Sequence, residues 1–361
     1  MSSNQSKPPK LEVPVHLPHW RYRIYAILGF SLVCLVVMAF ATTVGSVHIP
    51  FLTTSRVLFS KLPLVNIMPT WPDTTETIIL AIRLPRVILA GLVGAALSLA
   101  GATYQGLFRN PLADPYLIGV AQGAALGAVI GFSLPANWQG SGFGIIPLLA
   151  FIGALFSVAI VYLLARVGKT LPVTTLILAG VALGALWGSI VSYLIITSGD
   201  ATHGIILWLM GSFSLSQWSE VRVVFPYIVV GVAVILLYSR SLNVMQLDEE
   251  QAQQLGINVE KVKLILLAAA TLITAAAVSF VGTIGFVGII IPHMARLMWG
   301  PDHRLLLPMS LLTGAIFMVV ADLLARTVLA PAEIPVGIIT AVCGVPFFLY
   351  LLRRKKMSVF F

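Results

Sequence analysis

Between Gly282 and Leu352 the chain is apolar almost without interruption, and its few polar residues sit at breaks: Pro292-His293, Arg296, Asp302-His303-Arg304, Asp322, Arg326 and Glu333-Ile334-Pro335. A helix on a water-soluble core carries a polar face along its whole length. Here the polar groups fall mostly between apolar runs, the pattern required when lipid is the solvent and the backbone must satisfy itself. A plain anchor has no need of several such runs with Pro, Gly and charges at their ends. The rest of the chain agrees: it is 58% hydrophobic and only 10% charged, against roughly 25% charged in a soluble domain. The sequence therefore predicts an all-α polytopic membrane protein.

Ten runs are predicted to span: 24–44, 86–107, 116–134, 145–165, 173–197, 223–239, 264–281, 284–298, 305–329 and 335–352. The run 284–298 is short and holds Gly and Pro, so a broken or tilted helix is expected there. An even count puts both termini on one side. With the N-terminus inside, sixteen of the 22 Lys and Arg face the cytoplasm, which the positive-inside rule favours. The same rule explains the net charge of +9 better than nucleic-acid binding does. Residues 1–23, polar and proline-rich, read as a disordered cytoplasmic tail. Residues 24–352 form the membrane domain, and 353–361 a basic cytoplasmic tail. The first run, with its long charged preface and many successors, reads as a span and not as a signal peptide.

Cys34 and Cys343 lie in apolar runs and form no disulfide framework, and the six histidines show no metal-ligand spacing. Small residues recur every fourth position at Gly119, Gly123, Gly127 and Gly131, at Gly180, Gly184 and Gly188, and at Gly94, Ser98, Ala102 and Gly106. Such ladders let helices approach closely in lipid. Carboxylates are nearly absent from the runs, which argues against an ion-driven carrier. Asp322 is the main exception, and an intrahelical pair with Arg326, four residues on, is its simplest reading. No converging His, Asp or Ser groups suggest intramembrane catalysis, so no catalytic residue is expected.

Gly168-Lys169-Thr170 imitates the end of a phosphate loop, but Leu163 stands where the first glycine belongs and no strand precedes it. Phe108–Pro115, FRNPLADP, reads as a tight turn between spans. Ser239–Lys263 is the most polar internal stretch. Within it Asp248-Glu249-Glu250 opens a short helix that Gly256 stops, and Leu247, Ala252 and Leu255 are expected to form a small apolar contact for a partner. Arg83, Arg86 and Arg326 lie at the opposite ends of spans, where interfacial anchoring and docking of an acidic partner are both open.

Through IRLPR (Ile82–Arg86), NPLADP (Asn110–Pro115), LAGVALG (Leu178–Gly184), WLMGSF (Trp208–Phe213), GFVGIIIPH (Gly285–His293), DHR (Asp302–Arg304) and AEIPVGIITA (Ala332–Ala341), the chain resembles permease subunits of bacterial ABC importers for vitamin B12, haem and ferric siderophores. The closing segment, Ala325–Leu352, looks most like the iron-siderophore and haem branch. The resemblance covers about Ile82 to Leu352. It implies a pair of ten-helix subunits, from a second copy or a homologous permease, in a bacterial or archaeal cytoplasmic membrane. It further implies two ATP-binding cassette subunits carrying the ATP and Mg, with no cofactor on this chain. Those subunits would dock on the segment holding Asp248, Glu249, Ala252, Leu255 and Gly256. An extracytoplasmic binding protein would dock on Arg83, Arg86 and Arg326. The inner gate would match Asn110 and Leu112 of the turn, with Val173 and Thr174, where the family's two hydroxyls are reduced to one.

Overall fold

Each of the ten apolar runs carries a helix in the computed structural model, which describes residues 20–45, 47, 49–61, 68–135 and 144–359. The helices are α1 (Trp20–Thr43), α2 (Phe51–Ser60), α3 (Asp73–Leu107), α4 (Val120–Ser133), α5 (Ile145–Ala165), α6 (Val173–Thr197), α7 (Thr202–Leu209), α8 (Trp218–Leu237), α9 (Ser239–Val244), α10 (Glu249–Gln254), α11 (Val259–Val281), α12 (Val287–Trp299), α13 (His303–Thr327) and α14 (Val336–Val359). Among the described residues, seven of these (α1, α3, α5, α6, α8, α11 and α13) are long and apolar enough to cross a membrane. The only extended pairing among them is one bridge between Val167 and Thr170.

Several boundaries differ from expectation. Most of the expected N-terminal tail, residues 1–19, lies outside the described residues, and Trp20–Arg23 already belong to α1. Helix α3 starts well before Arg86, because a wider turn over Ile78–Arg83 leads the chain past Pro85, whose ring and missing N–H disrupt a regular turn. Helix α14 does not stop at Leu352 but runs on to Val359. Nothing between Phe347 and Val359 breaks a helix, and its cations suit the negative end of the helix dipole. The basic segment is thus largely a continuation of the last helix.

Helix α3 is the hub, packed against α13, α11 and α12. A β-carbon on Gly94 would strike the Gly314 carbonyl, and one on Gly101 would strike that of Gly288. Ser98, between them, donates across to the Ser310 carbonyl at 2.8 Å. Helix α4 meets α5 in the same way, Gly123 on Gly153 and Gly127 on Leu149. The α6 ladder behaves differently. Gly180 abuts the Leu117 carbonyl, but Gly188 has nothing within 4 Å.

At about 1.5 Å per residue, 14-residue α4 and 13-residue α12 fall short of a roughly 30 Å apolar layer. A tighter 3-10 turn over Pro115–Ile118 precedes α4, and non-helical backbone precedes α12. Before α12, residues 282–286 leave the helix, with Gly282 and Phe286 at φ 76° and 69°. The Tyr116 hydroxyl meets this break, donating to the Ile284 carbonyl at 3.0 Å and accepting its N–H at 3.1 Å. Within α12, Pro292 cannot donate to Gly288, four residues back. Gln105 of α3 donates to that carbonyl at 3.3 Å and to Ile289 at 3.1 Å. Side chains therefore satisfy the backbone groups that the breaks release.

Polar contacts gather at two ends of the bundle. At one end Arg23 reaches Asp302 at 2.7 Å, Asn243 donates to Asp302 at 2.7 Å, and Gln246 donates to the Gly106 carbonyl at 2.9 Å. At the other, Arg83 donates to the Thr43 carbonyl at 2.7 Å, Arg86 pairs with Asp322 at 2.8 Å, and Trp218 donates to the Leu80 carbonyl at 2.8 Å. At the first end partial burial pushes the Asp302 carboxyl up, but hydrogen bonds from Arg304 and Asn243 and the charge of Arg23 outweigh it and bring it to about 2.

Two outcomes follow. Gly101→Val should destabilise the bundle by about 1–3 kcal/mol by forcing α3 off α12, whereas Gly29→Val, with nothing within 4 Å, should change little; thermal unfolding in detergent compares them. Because the Asp302 carboxyl lies at about 2, below its ordinary value of 3.8, its stabilisation is complete above that ordinary value. It is lost as pH falls through about 2. Asp302→Asn should flatten that acid limb of a stability–pH curve.

Candidate functional site

The three arginines expected at one set of span ends do converge, but they do so inside the chain. Arg83, Arg86 and Arg326 are only 5%, 9% and 6% exposed. Arg83 donates to the carbonyls that end α1, Thr42 at 3.3 Å and Thr43 at 2.7 Å, and to Val47. Arg326 donates to the Ala41 carbonyl at 2.7 Å. Both thus bind carbonyls that a helix C-terminus leaves without intrahelical donors.

Arg86 forms the centre of this end. It grips Asp322 through Nε and Nη2, with contacts at 2.8 to 3.1 Å, and Glu333 through Nη1 at 2.9 Å. The pair of Asp322 with Arg326 anticipated from their spacing is present, but at 3.6 Å it is the longer contact. The main partner of Asp322 lies on another helix, 236 residues away, which local spacing could not reveal. Ser214 donates to Glu333 at 2.5 Å. Burial raises the Glu333 carboxyl, but the hydrogen bonds from Arg86 and Ser214 prevail and hold it below the ordinary range. Beside it lies a cavity of about 410 Å³ walled by Trp208, Leu215, Phe280 and Pro335, with Ser212, Ser214 and Glu333 as its polar groups. The three cations expected at this end are thus buried in a charge lattice joining α1, α3, α13 and the approach to α14.

At the other end, α10 hangs between α9 and α11. Asp248 precedes it and pairs with Arg109 of the FRNPLADP turn at 3.2 Å. Glu249 pairs with buried Lys263 at 2.9 Å, and Lys263 also holds Glu260 at 3.1 Å and the Leu171 carbonyl at 3.3 Å. Gly256 takes φ 83°, the left-handed conformation that closes a helix with least strain in glycine. The apolar contact expected of Leu247, Ala252 and Leu255 divides. Ala252 is 0% exposed and faces the bundle, while Leu247 and Leu255 are 45% and 64% exposed. A six-residue helix lying on the bundle must bury one side, and the smallest residue takes it.

The turn residues are also placed. Asn110 is exposed and its side chain accepts the Leu112 N–H at 3.0 Å, while Leu112 stands open to the surface. Val173 and Thr174 begin α6, with Val173 half-buried and Thr174 exposed. The neighbouring Thr175 hydroxyl meets the Ala165 and Pro172 carbonyls, both at 2.9 Å. Among the described residues no group of three His, Cys, Asp or Glu is placed to hold a metal.

Arg86→Met should cost about 3–5 kcal/mol, because it strands Asp322 in a buried site. Combining it with Asp322→Leu should recover most of that loss. Thermal unfolding of the two variants reads the difference, and equal losses would contradict the pairing.

A model of the FecCD transport family matches residues 32–354. A cobalamin import system permease protein from Halobacterium salinarum is 49% identical over 286 residues, covering 79% of this chain and 76% of that protein. A hemin transport system permease protein from Yersinia pestis is 41% identical over 343 residues, covering 91% and 96%. A solved structure described as a metal-chelate type ABC transporter in an inward-facing conformation superposes with a TM-score of 0.78 and 30% identity, covering 92% of this chain and 99% of its own. Matched along nearly its whole length, and built of apolar helices to suit, the chain belongs to the FecCD transport family and is a multi-pass permease of the cytoplasmic membrane.

Proposed function

We propose that this chain is the membrane subunit of an ATP-driven importer of bulky metal chelates, crossing the bilayer ten times with both termini in the cytoplasm. The observation that carries the proposal is the likeness, over 91% of the chain, to a permease named for hemin transport. The sorting of loops supports the crossing number. The loops expected inside meet one another around Asp302, and those expected outside meet around Arg86. Tyr116 and Ile284 join the two sets, because both breaks lie deep in the bundle. The excess of Lys and Arg near the Asp302 end orients that end inward.

Two ATPase subunits dock on the α10 segment. Asp248, Glu249 and Gly256 shape it from within, Ala252 seats it, and Leu247 and Leu255 meet the partner. Asn110 and Leu112, with Val173 and Thr174, form the inner gate of the path. A second copy, or a homologous permease, covers the face of α6 on which Gly188 stands open. An external binding protein seats on the Arg86 end, where Arg83 and Arg326 fix the end of α1 and Arg86 holds Glu333, which Ser214 also bonds. The chain binds no cofactor, and ATP and Mg belong to the ATPase.

The proposed cargo is a ferric siderophore or haem. Cobalamin is the second reading, carried by the relative at 49% identity. Titrating the cognate binding protein with haem, a panel of ferric siderophores and cobalamin distinguishes them, since only the true cargo should saturate it and be taken up by proteoliposomes.

Leu255→Glu should weaken ATPase capture on the order of tenfold and uncouple uptake while leaving the unfolding temperature unchanged. Ala252→Arg should instead lower that temperature, since it forces a charge into the seat of α10. Normal capture and uptake by Leu255→Glu protein would remove α10 as the docking element.

A further inference from the structure

On the flank of the bundle, α5 and α8 diverge over α11 and leave an apolar groove of about 570 Å³. Tyr162 and Thr271 are the only residues with polar side chains among those lining it. On α11 it runs from Leu264 to Leu272, roughly 8 to 20 Å along the helix from Val259 at about 1.5 Å per residue. Counted from Leu264, the first residue of the predicted span, the stretch is about 12 Å long and fits within one leaflet of a roughly 30 Å apolar layer. Beyond the far end of the groove, the rings of Phe151 and Tyr227 bridge α5 and α8 at 5.3 Å. Its flanks bear exposed Leu163, Val230 and Leu264, so it opens sideways toward lipid and not toward water.

The mouth of the groove is basic. Lys261 stands one turn before Leu264 and Ile265 on α11, on the stripe that continues through Ala268 and Leu272. Arg166 stands one turn beyond Tyr162, its N–H bonded to the Tyr162 carbonyl at 3.1 Å. Both side chains are exposed, and neither is in an ion pair among the described residues. The acids nearby are already engaged, Glu249 and Glu260 with Lys263. Arg166 keeps one bond, from Nε to the Gly168 carbonyl at 3.0 Å. An apolar slot with two cations one turn beyond its lining, which no carboxylate pairs among the described residues, matches an acyl chain joined to an anionic headgroup.

We propose that this groove binds an anionic diacyl phospholipid, with an acyl chain between α5 and α8 and the phosphate between Arg166 and Lys261. Such a lipid braces the end of α11 that carries Lys263, and through it the seat of α10. The site requires only that these helices span the bilayer, whatever the cargo.

The test uses the full-length chain, delipidated in neutral detergent and titrated with dioleoyl phosphatidylglycerol or dioleoyl phosphatidylcholine under native mass spectrometry. Phosphatidylglycerol should bind more tightly. Arg166→Gln with Lys261→Gln should lower its affinity about 10- to 30-fold and leave phosphatidylcholine unaffected. Ala159 and Ala268 line the groove with exposed side chains, so Ala159→Trp and Ala268→Trp should each fill it and reduce binding of both lipids. In the unaltered chain, phosphatidylglycerol bearing a photoreactive acyl chain should label residues 155–162 and 264–272. Equal affinity for the two lipids, no loss in the charge variant, or labelling only elsewhere would overturn the proposal.

Discussion

Lipid offers no hydrogen bonds, so each backbone amide and carbonyl within the bilayer must find its partner in the chain. Most of this protein meets the demand with helices. The informative places are where it does not. Residues 282–286 leave the helix deep in the bundle, and the Tyr116 hydroxyl both donates to and accepts from Ile284. Pro292 strands the Gly288 carbonyl, and Gln105 covers it. Thr283 donates in turn to the Leu209 carbonyl at 2.5 Å. The break before α12 lies against the end of α7 and the start of α14, with Gly282 at the Trp208 carbonyl and Gly337 at those of Met210 and Thr283. A membrane protein that must open a path gains from such places, since unwound backbone is tolerated where it is buried in protein or lines a cavity.

The same constraint explains the charges. An ionised side chain within an apolar layer is tolerated when it is paired or carries hydrogen bonds. Arg83 and Arg326 spend their donors on the open end of α1, while Arg86 binds two carboxylates from α13 and the approach to α14. The lattice therefore ties the ends of three helices to one another without a polar face on any of them. At the Asp302 end a smaller network joins α1, α9 and α13, and Lys263 fastens α10 to α11. Between the two networks, cohesion comes from glycine and serine contacts on α3, α4, α5 and α13, because in lipid there is little hydrophobic drive to bring helices together.

Burial and long-range pairing reshape the candidate site more than they reshape the fold. Arg83, Arg86 and Arg326 read from the sequence as open cations, because span ends usually face the interface. Asp322 is on the page of the sequence, yet its partner Arg86 is remote, and no local pattern joins them. Ala252 looked like part of an outward apolar contact because a six-residue helix is too short to show which of its sides is buried. Asp248, Glu249 and Gly256 were legible as a helix start and stop, since acids in a first turn and a glycine at the end act locally.

Run length and composition were enough by themselves to determine a polytopic helical membrane protein with a helix in each of the ten apolar runs, and small-residue spacing marked candidate positions for close helix contact. These are local or periodic properties, and lipid enforces them segment by segment. The tertiary structure alone decided which ladder packs within the chain and which stays open, as Gly123 and Gly188 do respectively. It alone decided that Arg86 belongs to Asp322 and Glu333, that Ala252 faces inward, and that α5 and α8 part over α11 to leave a lipid-sized groove. The reason is physical: pairing energies in an apolar layer depend on which helices become neighbours, and neighbours far apart in sequence are chosen only when the whole bundle closes.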